Sequence, residues 1–357
     1  MFKSFLRSMS VSMLIVGTMI GAGFASGKEI VTFFGEVPNP LTALITGVLV
    51  FGCSVLFLFV GRRVKKSDLG EVNGVVFGKA RALADVFMLF NSMTVLGAML
   101  AGADSLLAEF IDLKPLASVA LGILCAVISV RGLKGILKAN AVLVPIMVTV
   151  MSVCCIMAFD FPLKFTELKI APHYLVLYVA MNMILGGGVL TTVNDLSPRE
   201  ILLSSAVAAL IISALLMCIM SALQSCSAAH ADLPMLLIAL KSGKAMYFIS
   251  FAVIGAAIFT TMLTAFKSLF DYLNGLIKHS AVTAAVVLLG GLAVGMFGFS
   301  NVVGRLYPVI GGIGLVYIAC NGWYLIRTRV KRKVKQKVKS VKTKTERRLK
   351  KLRRASD

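Results

Sequence analysis

The chain has 357 residues, 58% of them hydrophobic and 15% charged, against about 45–50% and about 25% in ordinary soluble domains, which excludes a soluble globule. Its net charge is +21, but residues 327–357 alone hold 16 basic and 2 acidic residues, so most of the excess lies in the tail. Three histidines and seven cysteines without zinc-type spacing, and the lack of a glycine-rich phosphate loop ending in Lys-Ser/Thr, speak against an enzyme or an ATP-driven pump.

A membrane span needs about 20 mostly apolar residues to cross about 30 Å of hydrocarbon. Ten runs meet this, near 9–34, 41–60, 84–108, 115–130, 139–159, 174–193, 201–229, 245–270, 280–299 and 306–326. The second and seventh contain no charge at all, and the fourth is short. The cysteines lie in or beside these runs and read as small buried hydrophobes. Basic residues favour the cytoplasmic side of short loops. The N-terminus and alternate loops carry 14 before the tail (among them Arg62, Arg63, Lys134 and Lys278), and the opposite loops carry six. With ten spans both termini are expected to be cytoplasmic, in a multi-pass protein of the cell membrane.

The first run holds Gly17, Gly21, Gly23 and Gly27 within eleven residues, followed by Lys28 and Glu29. Each glycine costs about 1 kcal/mol in a helix interior relative to alanine, and unwound backbone is tolerated at membrane depth only where it lines a protein cavity. The segment is therefore expected to break the helix. A break exposes N–H groups that attract carboxylates and carbonyls that attract cations. Tight helix packing through small residues is the competing reading, although it leaves the Lys28-Glu29 pair unexplained.

The segment GTMIGAGFASGKEIVTFFG resembles the first span of the YkvI-like family of bacterial membrane proteins, within the amino acid–polyamine–organocation transporter superfamily. The resemblance covers most of residues 9–326 by span number and order. It implies an all-α polytopic fold of the LeuT type, with about ten transmembrane helices in two inverted five-helix repeats and with helices 1 and 6 broken. The repeats would occupy 1–160 and 161–326, leaving 327–357 as a basic cytoplasmic tail expected to be disordered. The sixth run agrees: it carries Gly186-Gly187-Gly188, with Asn182 one turn earlier. Tyr178 and Asn182, four residues apart, share a helix face and are candidates to face a ligand; a hydrogen bond to a neighbouring helix is the alternative for Asn182.

In the eighth run, GAAIFTTMLTAFKSLFDYL, the motif positions similar to those that hold sodium in sodium-coupled LeuT-type transporters are Ala257, Thr260 and Thr261. Gly17 and Ile20 supply the matching first-span carbonyls. The resemblance thus implies a sodium ion as the one cofactor-like ligand. Its hydroxyls can instead bond their own helix. Phe24 stands where many symporters place a polar group. Glu29 is the candidate proton site, near the outer vestibule, with pairing to Lys28 or a loop residue as the other reading. Asp85 and Asp104, 19 residues apart, are expected to mark opposite ends of the third span.

The expected function is secondary active transport of a small solute, an amino acid or related zwitterion, by cation-coupled alternating access. Ala22 and Gly23 N–H groups would take its carboxylate, with Gly21 giving access and Phe24, Tyr178 and Asn182 shaping the pocket. A ligand-sensing receptor subunit of the same fold, without net transport, is the alternative. The tail is expected to contact anionic lipid headgroups, at about 1 kcal/mol per basic residue near the surface, and no specific nucleic acid, because no aromatic residue is interleaved for base stacking. A peptide of residues 331–357 should bind anionic vesicles and be released by salt, since screening tightens from about 8 Å to about 3 Å at 1 M; equal binding to neutral vesicles would contradict this.

Overall fold

The computed structural model describes residues 2–35, 39–67, 69–131, 136–159, 172–226, 228 and 230–330. Among the described residues every regular element is helical. The first run forms three pieces: α1 (Phe2–Met19), α2 (Ala22–Ala25) and α3 (Lys28–Phe34). The first interruption falls at Gly21, whose backbone is extended (φ −90°, ψ −174°). The second falls at Gly27, whose φ of +82° is left-handed, a conformation that glycine adopts without steric penalty. The helix break expected from the glycine spacing is present.

The second run is α4 (Pro40–Val64). Its start is fixed by Asn39, whose side chain accepts from the N–H groups of Leu41 and Thr42, and by Pro40, whose missing N–H costs nothing in a first turn. A short helix absent from the sequence reading, α5 (Leu69–Phe77), leads into α6 (Arg81–Ala108). Then come α7 (Leu116–Arg131), α8 (Ile136–Met157), α9 (Pro172–Thr192) and α10 (Pro198–Cys226). The α10 start is a reciprocal capping box. Glu200 N–H donates to Ser197 Oγ at 3.3 Å and Ser197 N–H to Glu200 Oε2 at 2.8 Å, which satisfies two otherwise orphaned donors. A second unexpected short helix, α11 (Pro234–Lys241), precedes α12 (Lys244–Ile277) and α13 (Ser280–Gly295). The last helix runs Phe299–Val330 and contains one π-helical stretch, Val302–Leu306.

Each of the ten apolar runs thus corresponds to a helical segment. Five are long and apolar enough to cross a membrane unaided, and the sixth run does so as a bent pair, 172–184 with 186–192. The fourth, fifth and ninth runs and the first piece of the first run are shorter apolar helices. The repeat boundary expected at 160/161 and the tail from 331 lie outside the described residues.

The sixth run bends by 48° rather than unwinding. Its three glycines serve close packing. A side chain on Gly186 would meet Thr18 Oγ1 at 2.8 Å, one on Gly187 the Phe57 ring at 2.6 Å, and one on Gly188 Leu69 at 3.2 Å. Glycine therefore lets three neighbours approach the helix axis while the helical hydrogen bonding persists.

Two groups of helices result. Helices α1 and α3 pack with α9 and α10, and α4 packs between those two; α6 packs with α7, α12 and α13, and the short α2 packs against α12. Helix α8 touches α1, α10 and α12 and so bridges the groups. The space where the groups meet lies at the break of the first run.

Candidate functional site

At that meeting point is a cavity of about 90 Å³. The first run lines it with Thr18, Gly21, Ala22, Gly23 and Glu29. Helix α6 adds Asn91, Val95 and Met99, and α9 adds Met181 and Asn182. Thr261 from α12 and Tyr307 from the last helix close it. The break and the bend are joined here, because Thr18 sits against Gly186.

Of the expected solute-binding residues the structure brings Gly21, Ala22, Gly23 and Asn182 to the wall. Asn182 donates from Nδ2 to the Tyr178 carbonyl at 3.0 Å, so its amide bonds within its own helix. Tyr178 is placed elsewhere. It is fully buried and packs against Phe33 (ring centroids 5.5 Å) and Phe34 (4.8 Å). Tyr178 lies about 6 Å along the helix axis from Asn182, and at that level its ring meets α3 instead of the cavity. Phe24 is likewise fully buried and off the wall.

Of the expected sodium set, Thr261 lines the cavity, whereas Gly17, Ile20, Ala257 and Thr260 do not. Thr260 Oγ1 donates to the Ala257 carbonyl at 3.2 Å, which leaves its lone pairs free to accept. Gly17 faces Val144 of α8. Among the described residues no cluster of three or more His, Cys, Asp or Glu side chains is placed to hold a metal.

Glu29 differs most from expectation. It does not stand in a vestibule but lines the cavity, 6% exposed. The helix is interrupted by the left-handed backbone at Gly27, and the Glu29 carboxylate lies over Gly23, where any Cβ would collide with Oε1. Lys28 does not pair with it: its Nζ donates to the Ala231 carbonyl at 2.9 Å. Asn91, Tyr307 and Thr18 were missed by sequence reasoning. A lone asparagine or tyrosine inside an apolar run is the available signal, and it does not say which partner it meets.

Polar contacts flank the cavity on both sides. Towards the start of α1, Arg7 pairs with Asp195 at 2.7 Å and Ser4 Oγ donates to Glu200 at 2.8 Å. Towards the other end, Asp232 accepts from Ser105 of α6 and from Ser300 of the last helix. Met235 N–H, in the first turn of α11, donates to the Ser26 carbonyl at 2.9 Å, which ties α11 to the break. Asp104 accepts from Ser118 N–H at 2.9 Å, capping α7, and Asp85 pairs with Arg81. The two aspartates thus mark opposite ends of α6.

No protein-family model matches the chain. It is similar to the membrane protein YkvI of Bacillus subtilis, 25% identical over 86% of this chain and 93% of that one. In fold it is similar to MhsT in complex with L-phenylalanine, 15% identical, with a TM-score of 0.64 over 87% of this chain and 88% of that one. It is also similar to a sodium-coupled sialic acid symporter, 14% identical, with a TM-score of 0.55 over 89% of this chain and 78% of that one. The YkvI-like resemblance therefore holds over most of the chain, and the architecture is that of the LeuT type.

Proposed function

We propose that this multi-pass membrane protein is a secondary active transporter of the cell membrane, with both termini cytoplasmic. In this reading it binds a small solute in the central cavity and moves it by cation-coupled alternating access. The observation that carries the reading is the cavity itself, which lies at the break of the first run, opposite the bend of the sixth, between two helix groups of a LeuT-type fold. Broken helices at mid-membrane supply fixed dipoles to a ligand without unsatisfied backbone facing lipid.

The solute in this reading is an amino acid or related zwitterion. Its carboxylate meets the N–H groups of Ala22 and Gly23, and its remainder lies along Met99, Met181 and Asn182. The structures of similar fold support cation coupling: one is described as a sodium-coupled symporter. Sodium would take the carbonyls of Gly17, Ile20 and Ala257 and the hydroxyls of Thr260 and Thr261, with Glu29 as the proton-coupled alternative. Counterflow in proteoliposomes tests transport, since a receptor of the same fold binds solute without exchanging it across the bilayer. Saturable binding with no counterflow would favour the receptor.

The coupling ion has a separate test. Replacing Thr260 and Thr261 together with valine keeps volume and removes two oxygens. Thermal stabilisation by sodium over potassium should then disappear, with stability in potassium nearly unchanged. An unaltered sodium response would remove these residues from the ion site.

A further inference from the structure

The cavity is chemically one-sided. Among the described residues Glu29 supplies its only carboxyl group, and no lysine, arginine or histidine lines it. Glu29 Oε2 is buried without a hydrogen-bond partner, and the adjacent Lys28 is turned to a backbone carbonyl. Two of the neutral groups have a donor already engaged. The Thr18 hydroxyl donates to the Ile15 carbonyl at 2.8 Å, and Asn182 gives one N–H to Tyr178. Thr18 Oγ1 and the Asn182 carbonyl oxygen therefore keep lone pairs that can accept, beside the neutral side chains of Asn91, Thr261 and Tyr307.

A buried carboxylate is costly unless a cation and hydrogen bonds answer it. An ammonium group carries one positive charge and three donors, which match one carboxylate and two neutral acceptors. A solute carboxylate, by contrast, would find only neutral donors, the backbone N–H groups and the side chains of Asn91, Thr261 and Tyr307, beside a carboxylate of the same sign. Val95, Met99 and Met181 give the opposite wall an apolar surface suited to a short carbon chain. Resting on the proposed solute site, we infer that Glu29 recognises the solute's ammonium group and that a solute carboxylate is dispensable, so the ligand class is a small organic ammonium ion.

The test uses the purified full-length protein in detergent, with potassium chloride fixing ionic strength, and three probes of similar size: propylammonium, L-alanine and propionate. Ligand-induced thermal stabilisation is read for the parent, Glu29→Gln and Glu29→Asp. Propylammonium and alanine should stabilise the parent and propionate should not. Glu29→Gln should weaken propylammonium at least about 30-fold, as expected when one partner of a buried charge pair is removed, and Glu29→Asp, which keeps the charge, should retain part of the affinity. Alanine binding equally to parent and Glu29→Gln, with propylammonium inert, would keep the cavity as the solute site and overturn ammonium recognition. Stabilisation of the parent by none of the three probes would also overturn the ammonium assignment, while counterflow separately decides whether the protein transports. If sodium alone stabilised the parent and Glu29→Gln abolished that effect, the carboxylate would be an inorganic-ion ligand and the inference would fall.

Discussion

Gly21→Leu is expected to abolish solute binding and counterflow while leaving the protein folded and membrane-inserted. Gly21 lines the cavity, and a Cβ built on it meets nothing within 4 Å. Its extended backbone, with φ −90°, is one that any residue adopts. A leucine side chain there enters a space of about 90 Å³, which it largely fills. Gly21→Ala should give an intermediate loss because it adds one methyl group. Gly23→Leu is a less informative variant: a side chain there drives Glu29 off the break, so lost binding would mix steric block with displaced charge. Unchanged affinity in a folded Gly21→Leu protein would move the solute site away from the break.

The sequence made the positions of the helical segments and the first break legible for separate physical reasons. The helical segments follow from the lengths of apolar runs, which the thickness of the bilayer sets. The break was legible because four glycines in eleven residues are unfavourable in any straight span. The glycine triplet of the sixth run was less decisive. Glycine permits both unwinding and close approach, and only the positions of Thr18, Phe57 and Leu69 show that approach is its use here. Glu29 meets the cavity although it lies past the break, because helical spacing does not carry across Gly27, whose left-handed backbone interrupts the helix. Asn91 and Tyr307 come from runs remote in sequence, and helical periodicity within one run carries no information about which run it will face.

Gly314→Val is expected to lower the thermal stability and membrane yield of the protein more than the same substitution two residues earlier. In the last helix Gly311 and Gly314 lie directly on the backbone of α9. A Cβ on Gly311 would stand 2.5 Å from the Leu177 carbonyl oxygen, and one on Gly314 would overlap the Ala180 carbonyl. Helices that associate in lipid rely on such small-residue contacts, since lipid chains are as apolar as leucine and give no hydrophobic drive between helices. Backbone cannot turn aside as a side chain can, so valine at 314 must push the two helices apart. Overpacking of this kind costs about 1–3 kcal/mol or more. Gly312, which meets nothing within 4 Å, provides the control: Gly312→Val adds the same β-branched residue to the same helix without a collision. Displacing α9 also moves Met181 and Asn182, the residues just beyond Ala180 on the cavity wall. Any Gly314→Val protein that survives purification should therefore bind solute more weakly, and Gly314→Ala should fall between. Equal loss of stability at 312 and 314 would show that the β-branched residue, rather than contact between the two backbones, is the cause.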